Sequence, residues 1–313
     1  MRDSYSRFFK HFKIQIDELI TFGIKDTIFP NPKKIEPIWD QLKKNILNDN
    51  EVFIRGFGRD AWGTFLFQEF YKITLNNNNI KKDSTNNNEP TTLLQKITGY
   101  HKTTNNANIS NYQVSHIFGK TKNPLMFTAP WNIVWNPKIL DPFTGHESKG
   151  NYKNRYNTIF IKTAKIKYYS YIIEYNEFVE KYFNQNQIEF AINQLEEQKT
   201  DKRITDKKFN RFKKQVYQEL SQIDIKDINK DLEIISAFLI DGKSHRWIQK
   251  NILNIEAPSR GGGFEAMNIL HHWKIDNKQK GILKNNQIEA EIKNSKDTYK
   301  EILMALKKYL DLK

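Results

Sequence analysis

Residues 112–150 read YQVSHIFGKTKNPLMFTAPWNIVWNPKILDPFTGHESKG. Val114, His116 and Phe118 alternate with Gln113, Ser115 and Ile117, and Tyr112 adds an aromatic, so 112–118 reads as a short β-strand with His116 towards its end. Gly119 to Pro124 is turn chemistry, because Gly, Asn and Pro punctuate regular structure. The apolar residues Leu125–Phe127 and Trp131–Trp135 are expected to return as a pairing strand, which Pro137 and Pro142 stop. Beyond them a helix is expected, opened by Thr144 as N-cap with Glu147 three residues on, the spacing of a capping box. The order is strand, turn, strand, helix, and it gathers His116, Asn132, Asn136, Asp141, His146 and Glu147 into one stretch.

Ser-His-Ile at 115–117, WNIV at 131–134 and Gly-His-Glu at 145–147 together resemble the ββα-metal nucleases, also called His-Me finger or HNH nucleases. The block as a whole, with SHI, APWN and DPFTGHE, looks like restriction endonucleases of the HNH type. The resemblance covers about forty residues. It implies that His116 is the general base, that Asn132 braces the loop, and that His146, or else Asn136 or Asp141, holds one divalent cation. The chemistry is coherent: phosphodiester hydrolysis needs a base active near neutral pH and a cation to stabilise charge on the phosphate. A single hard cation with oxygen-rich ligands implies Mg²⁺ or Mn²⁺.

This chain departs from the pattern in two places. Many members carry a metal-binding Asp or His directly before the base, where this chain has Ser115, and the interval from Asn132 to His146 is longer than usual. A plainer account makes His116 a buried hydrogen-bonding histidine and Asn132 a turn former. A second metal-nuclease template, the PD-(D/E)XK pattern, matches Asp141 with Glu147-Ser148-Lys149. It ranks lower, because the polar, glycine-broken segment after it does not read as a buried strand. Glu291-Ile292-Lys293 lies in a segment that reads as helix or linker.

The chain has 313 residues, 38% of them hydrophobic, enough for a large core in one or two domains. The reading is α+β, largely helical, with an inserted ββα finger at about 112–150. That finger sits in an N-terminal lobe of 1–198, followed by a helical C-terminal lobe of 199–313 suited to DNA binding. The net charge of +14 favours polyanionic partners such as nucleic acid, although abundant Lys, Asn and Ile also follow from AT-rich coding. With no cysteine there is no disulfide, thiolate zinc site or cysteine nucleophile. No signal-like segment and no run of about eighteen apolar residues occurs, so a cytoplasmic protein without membrane attachment is expected.

Outside the central block, residues 4–22 and 34–48 read as amphipathic helices, and Arg55 and Arg59 beside Gly56 and Gly58 suit close approach to phosphate. Residues 76–90 read as a polar loop, and the 149–167 stretch, with Lys153 and Arg155 among tyrosines, suits contact with DNA. Helical stripes follow at Ile188, Phe190, Ile192 and Leu195, and at Phe209, Phe212, Val216 and Leu220. From 227 the chain reads as helices in a helix-turn-helix-like arrangement. Arg260 with Gly261 and Gly262 ahead of a helix makes a candidate phosphate site, and a final helix at 295–311 closes the lobe or forms a dimer contact.

The reading that results is a type II restriction-like double-stranded DNA endonuclease. A two-fold homodimer suits a palindromic site, and a companion DNA methyltransferase belongs to such a system. The alternatives are a DNA- or RNA-binding protein without chemistry and a sequence-blind nuclease.

Overall fold

A computed structural model describes residues 2–56, 63–102, 108–145, 148–198, 204–256 and 263–313. The chain is α+β and largely helical, and it divides into two compact units, residues 1–161 with 173–223 and residues 162–172 with 224–313. The expected boundary after 198 adjoins 199–203, which lie outside the described residues.

In the first unit, α1 (Ser4–Phe12) and α2 (Ile16–Asp26) form where one helix was expected. Lys13 takes a left-handed conformation at φ 55° and closes α1, and Gln15 and Glu18 form the capping box that starts α2. α3 (Pro32–Leu47) opens on proline behind an Asn31 cap. Strands β1 (Val52–Ile54) and β2 (Ile80–Lys82) pair in parallel, with α4 (Thr64–Leu75) between them in the chain. α5 (Asn88–Thr98) leads to β3 (Tyr112–His116), which pairs antiparallel with β4 (Ile133–Pro137) in a register that sets His116 opposite Ile133. Val114, Ile133, Trp135 and Leu94 form one core cluster behind this hairpin.

Two expectations about the hairpin are corrected. Leu125–Phe127 is not strand but belongs with Pro124 to a helical turn, α6 (Pro124–Phe127), because Asn123 caps Leu125 N at 2.9 Å and Pro124 is preset for a first helical position. Thr144 does not open a helix; it ends the short α7 (Asp141–Thr144), after which Gly145 is extended. The long helix α8 (Asn151–Lys167) begins only after Gly150, at φ 102°. Glu147, with His146, lies outside the described residues.

α9 (Tyr169–Tyr182), α10 (Gln185–Glu197) and α11 (Asp206–Leu220) follow. The buried stripes match the sequence expectation except at Phe190, which is 59% exposed. The second unit contains α12 (Lys226–Leu239), α13 (His245–Asn251), α14 (Phe264–His272), α15 (Ile288–Asn294) and α16 (Asp297–Asp311). Its core joins Ile228, Leu232 and Ile235 of α12 with Ile302, Leu303 and Leu306 of α16. Buried Asp231 accepts hydrogen bonds from Trp273 Nε1 at 2.7 Å and from Lys162 Nζ at 2.6 Å, which offsets the cost of an unpaired buried carboxylate. Among the described residues no helix is long and apolar enough to cross a membrane.

Candidate active site

His116 ends β3, and the loop that follows is folded around Asn132. Asn132 is fully buried. Its Oδ1 accepts from Phe118 N at 2.9 Å, and its Nδ2 donates to Gly119 O at 3.1 Å and Met126 O at 2.9 Å. One carboxamide thus satisfies three backbone groups that the turn leaves without strand partners. Its own backbone carbonyl accepts from Ile117 N at 2.7 Å, which locks the residue after His116.

The same loop sets the state of His116. Its Nε2 lies 2.9 Å from Phe127 O, and its ring stacks on Phe127 with centroids 5.4 Å apart and planes 12° from parallel. A carbonyl oxygen only accepts, so the neutral imidazole carries its proton on Nε2 and keeps Nδ1 as the basic nitrogen. Burial lowers the pKa to about 4; the Phe127 carbonyl opposes that shift, and the charge of Arg55 adds to it. The base is unprotonated at neutral pH.

His116 lines a cavity of about 700 Å³. Its described lining includes Arg55, Lys102 and Lys153 against one carboxylate, Asp141, together with the polar side chains of Ser115, Asn86, Asn87, Thr144 and Asn157. From α8, Lys153, Asn157 and Ile161 line it at successive intervals of four, one helical face. Arg55 is held by its Nε donating to Asn86 Oδ1 at 3.1 Å and by its backbone N–H bonded to Thr121 O at 2.9 Å. Lys102 Nζ stands 5.7 Å from the Trp135 ring centroid. Asn87 stands at the N-cap position of α5 without a side-chain capping bond, and its Oδ1 is buried with no hydrogen-bond partner.

Further bonds fix the loop from α11. Lys120 Nζ donates to Gln218 O and Ser221 O, both at 2.7 Å, which satisfies carbonyls at the end of α11. Lys122 N donates to Glu219 Oε2 at 3.0 Å, and Asn123 Nδ2 to Glu219 O at 2.9 Å. Burial raises the Glu219 pKa to about 7, against the opposing pull of the Lys122 and Asn123 backbone N–H groups and of the Lys120 and Lys122 charges.

The expected site residues divide. His116, Asp141, Arg55 and Lys153 meet on the cavity, and Asn132 braces its rim. Asn136 is fully buried on β4 and does not line the cavity; its Nδ2 donates to Thr144 Oγ1 at 3.1 Å, and its Oδ1 is buried without a hydrogen-bond partner. Arg155 pairs with Asp17 at 2.7 Å. His146, Arg59, Arg260, Gly261 and Gly262 lie outside the described residues. Asn157 was not singled out from the sequence; the spacing of Lys153, Asn157 and Ile161, which places them on one helical face, was the available signal. The pair of Lys120 and Glu219, 99 positions apart, left no signal in local sequence.

The oxygen donors Asp141, Thr144 and Asn157 suit a hard cation, and Mg²⁺ is commonly held through one or two carboxylates plus water. No group of three His, Cys, Asp or Glu side chains able to hold a metal occurs among the described residues, which do not include His146 and Glu147.

No solved structure matches the chain. A protein of Pasteurella multocida (strain Pm70), described as "Uncharacterized protein PM1201", is 46% identical over 182 residues, covering 58% of this chain and 81% of that protein. Residues 30–225, an interval that contains His116, Asn132, Asp141 and Asn157, match the model of the family described as "Uncharacterised protein PM1201", and the chain belongs to that family.

Proposed function

We propose that the chain is a metal-dependent DNA endonuclease of the ββα-metal type, with the sequence-specific, restriction-like activity that the resemblance implies. The observation that carries this reading is the state of His116. Its Nε2 is tied to the Phe127 carbonyl, its other nitrogen is left basic, and its ring sits on a cavity with three cationic side chains. A histidine with only a structural role needs no such cavity.

In this reading His116 Nδ1 takes the proton from the attacking water, and the low pKa keeps it ready to do so at neutral pH. Asn132 holds the loop so that the Phe127 carbonyl keeps the imidazole in the required tautomer. Arg55, Lys102 and Lys153 bind and orient the phosphodiester and offset its charge. Asp141 and Asn157 would hold the Mg²⁺ or Mn²⁺, which supplies stabilisation of charge on the phosphate and the departing oxygen. A homodimer on a palindromic site and a companion methyltransferase follow from the same reading.

The test is digestion of long, sequence-diverse, unmethylated DNA by the purified protein with and without Mg²⁺, beside His116→Ala. Discrete, metal-dependent fragments that the variant fails to produce, with a rate loss of about 10²–10⁴-fold or more, are expected. A smear points to a sequence-blind nuclease. Intact DNA under every divalent metal, despite measurable binding, returns the protein to the class of non-catalytic binders.

A further inference from the structure

Within the second unit, Ser244 caps α13, its hydroxyl accepting from Trp247 N at 3.2 Å. The resulting phase buries Ile248, Gln249 and Ile252 and leaves Arg246, Trp247, Lys250, Asn251 and Asn254 exposed on the opposite side. The start of the helix is rigidly seated. Gly263, at φ 107°, brings the beginning of α14 so close that a Cβ there would fall 2.6 Å from His245 Cβ and 2.9 Å from Arg246 N. The exposed face is therefore carried on a fixed base.

Its chemistry is specific. Arg246 and Lys250, one turn apart, line a recess of about 460 Å³ with Asn254 and the single carboxylate of Glu256. Lys243 Nζ stands 5.0 Å from the Trp247 ring, 41% exposed beside it. The surroundings are electropositive: besides burial, the charges of His271 and Lys280 hold the His245 pKa down. Cations at helical spacing complement phosphates along a duplex; the Asn251 Nδ2 donates to Trp247 O at 2.8 Å, which leaves its exposed Oδ1 to accept from a base edge. An acidic protein surface would complement the cations as well, and the test below separates the two. The family match ends at residue 225, so α13 lies beyond the interval that carries His116.

We infer that the exposed face of α13 is a duplex-DNA docking surface, with Arg246 and Lys250 on phosphates and Asn251 at the bases. The choice of DNA rests on the nuclease reading; the existence of an anionic partner rests on the face itself.

The experiment uses the full chain in chelator, so that binding is read without cleavage. The affinity for duplex DNA is measured by fluorescence anisotropy across a salt series for the native protein, the Arg246→Ala/Lys250→Ala double variant and Asn251→Ala, with far-UV circular dichroism as the folding control. The double variant is expected to bind about tenfold or more weakly, and its plot of log K against log salt to be shallower by about 2, at about 0.9 for each phosphate that is no longer neutralised. A general loss of structure would not produce that selective change in slope. Asn251→Ala is expected to keep the slope and change the preferred sequence in a selection from random duplexes. Unchanged affinity and slope in the double variant overturn the inference, as does a loss confined to polyglutamate, which would mark an acidic protein surface. Variant-sensitive binding by a native protein that never cleaves DNA sinks the nuclease reading alone; cleavage by a protein whose α13 variants bind normally sinks this inference alone.

Discussion

The loop from Gly119 to Asn132 and the outer face of α13 are built from the same residue types and use them in opposite ways. The loop contains Lys120, Lys122, Asn123 and Asn132; α13 presents Arg246, Lys250 and Asn251, the last donating to Trp247 O of its own helix at 2.8 Å, and Asn254 follows it. Lys122, Asn123 and Asn132 are 2%, 0% and 0% exposed, and each is committed to partners within the fold. The α13 residues are exposed. A buried polar group contributes stability only through its partners and costs the fold when they are removed. A solvated one contributes almost nothing until something binds. Lysine and asparagine in this chain therefore report neither DNA contact nor structure by themselves; burial decides.

The largest effect should come from breaking the loop at its centre. Asn132→Ala removes three hydrogen bonds and leaves Phe118 N, Gly119 O and Met126 O without the group that satisfied them. Unsatisfied buried backbone groups cost about 1–3 kcal/mol each, and with partial relaxation the total is expected near about 4 kcal/mol. Urea denaturation measures it. A loss below about 1 kcal/mol would show that the loop is held from α11 rather than by Asn132. Because the Phe127 carbonyl belongs to the same loop, the proposed nuclease activity should vanish in conditions where the variant remains folded.

That distinction also marks how far the sequence could be read. Strand, turn and second strand were legible because Val114, His116 and Trp135 obey local rules of alternation and β propensity, and the asparagine that braces the turn lies within the same segment. Local rules failed where two of them competed. Asn123-Pro124 could join a turn or cap a helix, and the cap won. Thr144 had the spacing of a helix start, but Gly145 and Gly150 postponed the helix to Asn151, and the helix that forms there carries Lys153 and Asn157 on the cavity. The grip of α11 on the loop was invisible, because no local pattern encodes a lysine meeting carbonyls 98 and 101 residues away.

A smaller and opposite effect should come from Glu219→Gln. The folded pKa of Glu219, about 7, lies above its ordinary 4.5, so its contribution is fully present below 4.5 and is lost as pH rises to 7. His116 behaves oppositely: its folded pKa of about 4 lies below 6.5, so its contribution is present above 6.5 and is lost as pH falls to 4. Between 4.5 and 6.5 the two slopes nearly cancel in the native protein. Gln keeps an acceptor for Lys122 N and carries no charge to desolvate. The variant should be more stable by about 2 kcal/mol at pH 8, and its stability should rise from pH 4 to 6.5 and then level. A flat difference between variant and native protein across that range would show that Glu219 is already ionised without penalty and that the buried network is better solvated than its geometry indicates.

The smallest effect belongs to the exposed helix face. Arg246→Ala/Lys250→Ala removes two exposed cations from α13, and exposed side chains without fixed partners change stability by less than about 0.5 kcal/mol. Melting curves of native and variant protein should therefore superimpose. A loss of about 2 kcal/mol or more, which is the scale of the buried loop, would mean that these side chains hold their own unit together. Any weakening of DNA binding in the double variant would then be a consequence of unfolding, and the contrast between a polar loop that builds the site and a polar helix face left for a partner would collapse.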